Sequence, residues 1–73
     1  MFQHLVNARG LKCPMPVIKL QQQIRLTRPG EVVCIECTDS GALSDITAWC
    51  RVNKRTIVSA ESTDFGVRIL IEA

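Results

Sequence analysis

The sequence predicts a two-layer α/β sandwich: a mixed four-stranded sheet with two helices on one face, in the order β-α-β-α-β-β. Three observations predict it. Two stretches carry apolar residues at helical spacing, and four carry the β-rich or alternating pattern of strands. Both helices directly follow strands, so right-handed crossovers place them on the same side of the sheet. A short polar link near the end joins the last two strands as a hairpin. Such a sheet buries one face under its helices.

The elements follow in order. Phe2 to Ala8 is short and moderately apolar, as in a first strand, and Arg9-Gly10-Leu11-Lys12 is a loop. Pro14 to Arg28 reads as a helix, with Val17, Leu20 and Ile24 recurring at helical spacing and Gln21 to Gln23 on polar positions. Arg28-Pro29-Gly30 stops it. Glu31 to Thr38 is β-rich, with Val33, Ile35 and Cys37 on one face. Asp39 or Ser40 is an N-cap residue for a second helix, Gly41 to Val52, whose inner side carries Leu43, Ile46, Trp49 and Cys50. Asn53 suits a left-handed exit. Thr56 to Ser62 and Phe65 to Ile71 are the last strands, linked by Thr63-Asp64. Val67, Ile69 and Ile71 alternate there with Arg68, Leu70 and Glu72.

Residues 1–73 form a single domain with one small core. At 47% hydrophobic and 22% charged, the composition is globular. Only Phe2, Trp49 and Phe65 are aromatic, so the core is aliphatic. A net charge of +2 with scattered basic residues lacks the stripe of a nucleic-acid binder. No stretch approaches the ~20 apolar residues of a membrane span, and no signal peptide is visible. A cytoplasmic chain with reduced cysteines is therefore expected.

Cys13 carries the chemistry. It stands in Gly10-Leu11-Lys12-Cys13-Pro14-Met15-Pro16, ahead of the first helix. Proline is favoured at the first helical position, where its missing N–H has no partner anyway. This makes Cys13 the expected N-cap, at the positive end of the helix dipole. With Arg9 and Lys12 adding positive charge, its pKa is expected below the ~8.5 of a free thiol.

The remaining candidates are weaker. Cys34-Ile35-Glu36-Cys37 matches a C-x-x-C pattern, but residues three apart on a strand point to opposite faces. One inward and one outward cysteine are expected, with no shared metal. Cys50 falls on the apolar side of the second helix. His4, the only histidine, lies in a strand and serves as a base only if the fold brings it near Cys13. Trp49 is read as core. Lys19, in an early turn of the first helix, together with Asp39 and Asp45, is assigned to partner docking. The two aspartates are otherwise cap and helix-surface residues.

Ala8-Arg9-Gly10-Leu11-Lys12-Cys13-Pro14-Met15-Pro16 resembles the Cys-Pro-x-Pro signature of the TusA/SirA/YedF family of sulfur carriers. Pro29-Gly30-Glu31-Val32, Thr38-Asp39-Ser40-Gly41, Asp45-Ile46 and Trp49-Cys50 extend the resemblance over essentially the whole chain. Asn7, Ser40, Thr47 and Gln21 to Gln23 depart from residues common in the family. The resemblance implies the same sandwich, similar to the C-terminal domain of translation initiation factor 3. It also implies that Cys13 takes sulfane sulfur as a persulfide and hands it to an acceptor cysteine, with Arg9, Gly10, Lys12, Pro14, Met15 and Pro16 as the supporting motif. The implied donor is a cysteine desulfurase or a rhodanese-like protein. The implied acceptor is a sulfur-relay protein in tRNA thiolation, molybdenum-cofactor assembly or sulfur oxidation. The carrier is expected to work as a monomer without a cofactor. The alternative is a small RNA-binding or regulatory module, although the stacking aromatics of such modules are missing.

Overall fold

The computed structural model describes residues 1–73 and contains six elements in the expected order. They are β1 (His4–Ala8), α1 (Met15–Arg25), β2 (Val32–Cys37), α2 (Ala42–Val52), β3 (Thr56–Ser62) and β4 (Val67–Glu72). The sheet runs β1-β2-β4-β3, with β1 and β2 parallel and the other two pairings antiparallel. The mixed four-stranded sheet with both helices on one face is the predicted architecture.

Alternation along each strand sets the core. Val6 and Ala8, Val33, Ile35 and Cys37, and Ile69 and Ile71 all turn to one side. Pro16, Leu20 and Ile24, four residues apart on α1, meet them from above. Burying a side chain such as Leu20 or Ile24 contributes about 1.5–3 kcal/mol. On α2 the buried row is Ala42, Ile46 and Cys50, with Trp49 packed partly against it. Leu43, expected inside, is 39% exposed, because it lies one residue off the Ala42–Ile46–Cys50 row.

Several boundaries differ from expectation for local reasons. α1 ends at Arg25 rather than Arg28, because Leu26 N–H and Thr27 N–H donate to carbonyls three residues back and tighten the last turn. The N-cap of α2 is Gly41, not Asp39 or Ser40, and no side chain caps it. Asn53 leaves α2 at φ −96°, and Lys54 takes the left-handed conformation at φ 57°. The Asn53 side chain instead donates to the Trp49 carbonyl at 2.9 Å.

The β3–β4 hairpin has a four-residue loop, 63–66, rather than two residues. Thr63 N–H donates to the Gly66 carbonyl at 2.9 Å, and Gly66 N–H donates to Thr63 Oγ1 at 3.1 Å. Phe65 therefore belongs to the loop rather than to β4. Gly66 sits at φ 150°, where a β-carbon would collide with the Cys37 carbonyl oxygen.

Cys34 and Cys37 do point to opposite faces, but both are closed to solvent. Cys34 lies on the helix-free face, in register between Leu5 of β1 and Leu70 of β4. On an interior strand, larger neighbours on both sides cover so small a side chain. The expected outward cysteine is thus a buried one.

Candidate functional site

Parallel strands β1 and β2 end side by side, so the loops after them and the starts of both helices converge at one edge of the sheet. This is the place where open α/β sheets commonly bind their ligands. Cys13 stands there in the 9–14 loop, and it is exposed. Gly10 allows the turn at φ 80°, and its N–H donates to Thr38 Oγ1 at 2.8 Å. The Cys13 N–H donates to Asp39 Oδ2 at 3.2 Å. Neighbouring residues of the β2–α2 loop therefore hold both ends of the segment that carries the thiol. Neither contact is legible from local sequence, because the partners lie 28 and 26 residues away.

The helix start is shifted by one residue from expectation. Pro14, not Cys13, is the N-cap of α1, and the Cys13–Pro14 peptide is cis. Prolines at 14 and 16 leave few N–H groups in the first turn, and Met15 N–H is taken by the Lys12 carbonyl at 2.8 Å. Cys13 thus lies just outside the helix, where the dipole is weaker.

The charges around the sulfur are also the reverse of those expected. Arg9 turns to the helix-free face, where Nη2 reaches Glu36 Oε1 at 3.0 Å and the guanidinium stacks 3.6 Å over the Phe65 ring. Strand alternation carries it there, since Leu5, Asn7 and Arg9 follow one another on that side. Lys12 forms no ion pair. The groups that act on Cys13 are carboxylates. Asp45 comes first, as acceptor for the thiol proton and as a nearby negative charge, and Asp39 adds a smaller repulsion. They hold the Cys13 pKa above the ordinary thiol range, not below it. Both carboxylates flank Gly41, with each Oδ2 at 3.9 Å from where its β-carbon would stand.

A titration separates the two arrangements. Asp45→Asn is expected to lower the Cys13 pKa, moving the iodoacetamide alkylation curve to lower pH and raising the rate at neutral pH. Asp39→Asn is expected to move it less, and Arg9→Glu not at all. An unchanged curve in Asp45→Asn would contradict the carboxylate control.

The other candidates are set apart from this loop. Cys34, Cys37 and Cys50 are buried, and burial raises each pKa, that of Cys37 to about 11. His4 lies at the opposite end of β1 and pairs with Glu31 at 3.0 Å, so it is no base for Cys13. Lys19 faces a groove beside β1 rather than the sulfur. No three His, Cys, Asp or Glu residues are grouped to hold a metal ion. No helix is long and apolar enough to cross a membrane. Exposed Met15 and Ile18, in the first turn of α1, and Leu43, in the first turn of α2, give the same end of the molecule an apolar rim. Ile18 and Leu43 escape sequence reasoning, although Ile18 falls off the Pro16–Leu20–Ile24 stripe.

Known proteins resemble this chain in sequence and fold. The profile of the family described as Sulfurtransferase TusA matches residues 4–73. YrkF of Bacillus subtilis (strain 168), a candidate sulfur carrier, is 33% identical over 58 residues, covering 80% of this chain. The chain spans only 31% of YrkF's length. A second candidate sulfur carrier of the same organism, YrkI, is 32% identical over 62 residues, covering 85% of this chain and 80% of YrkI. The crystal structure of a SirA-like protein from Desulfitobacterium hafniense superposes with a TM-score of 0.79 over 96% of this chain and 95% of that one, at 20% identity. That likeness is one of fold. With the family profile spanning nearly every residue and the Cys-Pro-x-Pro loop in place, the chain belongs to the TusA family of sulfur carriers.

Proposed function

We propose that Cys13 is the residue that carries sulfur. The observation that supports this is its exposure: of four thiols, Cys13 alone reaches solvent, and the other three are buried at raised pKa. No second reactive thiol stands in its loop, which suits carrying sulfur rather than closing an internal disulfide.

In the loading step, the Cys13 thiolate attacks the terminal sulfur of a donor persulfide. A bond forms between Cys13 Sγ and that sulfur, and the donor's S–S bond breaks. The donor leaves as a thiolate, which takes up the proton that Cys13 gave up. The sulfur arrives already oxidised, so no further oxidant is needed. Delivery repeats the exchange, with an acceptor thiolate attacking the outer sulfur and Cys13 leaving. Asp45, whose carboxylate raises the Cys13 pKa, keeps the resting thiol protonated. The donor is a cysteine desulfurase or a rhodanese-like protein. The acceptor is a relay-protein cysteine in tRNA thiolation, molybdenum-cofactor assembly or sulfur oxidation.

Incubation with a desulfurase and cysteine is expected to add the mass of one sulfur atom, lost on reduction with dithiothreitol. Fragmentation of the intact adduct is expected to place it on Cys13. Sulfur found on Cys34, Cys37 or Cys50 would overturn the assignment.

A further inference from the structure

The sheet has two free edges, and they differ. The β3 edge is interrupted by a register irregularity between Ile57 and Ser59, and it carries Glu61. Bulges and charges are the usual protection of an exposed edge. The β1 edge has neither. Its five residues keep an unbroken register with β2, and His-Leu-Val-Asn-Ala contains no proline, carboxylate or lysine. Gln3 N–H donates inward to the Val32 carbonyl. Backbone groups alternate along a strand, so those of His4 and Val6 point outward to the free edge.

A groove of about 270 Å³ runs along this edge. Leu5, Val6 and Asn7 form one side, and Lys19 and Gln22 of α1, with Leu26 just past its end, form part of the other. Leu5 and Leu26 are 55% and 79% exposed, and Lys19 pairs with no carboxylate. An edge strand beside a helix is the geometry in which extended peptides add to a sheet: main-chain hydrogen bonds supply affinity, and flanking side chains supply choice.

We infer that the β1 edge and the α1 wall form a strand-addition site for an extended segment of a partner protein, with an acidic side chain at Lys19 and an apolar one against Leu26. The free cation selects the acidic partner. A second copy of this chain fits less well, because its β1 brings no carboxylate to Lys19 and both copies carry a net charge of +2. β1 runs directly into the Gly10–Cys13 loop, so a segment held here tethers its protein beside the exposed thiol. The docking itself does not depend on sulfur chemistry and is measured without it.

The test is an amide-shift titration of the whole chain with a blocked peptide of alternating threonine and valine bearing one central glutamate. Shifts are expected at His4 and Val6 and at Lys19 and Leu26, with the Cys13 loop little changed. Lys19→Glu is expected to weaken this peptide about two- to fivefold, as for an exposed charge pair, and to strengthen one with lysine in place of glutamate. His4→Pro removes an outward N–H at the first strand position, where proline is tolerated, and is expected to weaken both peptides. No shifts, shifts along β3, or equal affinity of the wild type for the two peptides would overturn the proposal. So would broadening of the β1 amides with rising protein concentration and no peptide, which would assign the edge to a second copy.

Discussion

Cys13→Ser is expected to abolish sulfur loading and leave the fold untouched. The side chain is exposed and belongs to no core contact, and its backbone N–H keeps its bond to Asp39 whatever the side chain. Surface changes of this kind usually stay within about 0.5 kcal/mol. The hydroxyl, however, does not ionise near neutral pH and cannot exchange with a persulfide. Intact mass after incubation with the donor reads the loading, and a urea melt reads the fold. Cys34→Ser and Cys37→Ser are expected to behave in the opposite way. Each places a hydroxyl in a dry site at a cost of about 1–3 kcal/mol, and each still loads fully. Full loading of Cys13→Ser would mean that another thiol carries the sulfur.

Gly66→Ala is expected to be among the most destabilising single changes in the chain, by about 2–4 kcal/mol. Two effects add. The backbone at φ 150° is disfavoured for any residue with a β-carbon, and that carbon would meet the Cys37 carbonyl oxygen and the Thr38 Cα. Neither obstacle is a flexible side chain, so the hairpin or the end of β2 must move. Because Thr38 and Asp39 hold the Cys13 loop, the disturbance is expected to reach the site. Gly10→Ala is the control. Its φ of 80° is strained in the same way, but nothing stands within 4 Å of the new carbon. It is expected to lose only about 1–2 kcal/mol, the strain alone. Denaturant midpoints at constant slope measure both. Equal losses would show that strain, not the clash, governs Gly66.

The order of elements, the sheet type and the placement of both helices were legible because they follow from periodicity and crossover handedness. Both act over a few residues or along one strand. The inward rows on β2 and β4, and Leu20 and Ile24 on α1, were legible for the same reason, with Pro16 rather than Val17 completing the buried row of α1. Leu43 and the end of α1 were not, since one residue's phase and a tightened last turn depend on what packs nearby.

The site divides along the same line. The sequence alone determined that one cysteine lies in a proline-bounded loop ahead of a helix, and that Cys34 and Cys37 cannot share a ligand. Tertiary structure decided which charges surround the sulfur. Arg9 is four residues from Cys13 in the chain, yet strand alternation sends it through the sheet to Glu36 and Phe65. Asp39 and Asp45 are far away in the chain, yet parallel pairing of β1 and β2 brings their loop and helix beside the thiol. Proximity along the chain predicts electrostatics only where the backbone keeps neighbours on one side. Where a strand ends and two loops converge, the field at a side chain is set by residues that only the folded sheet brings together.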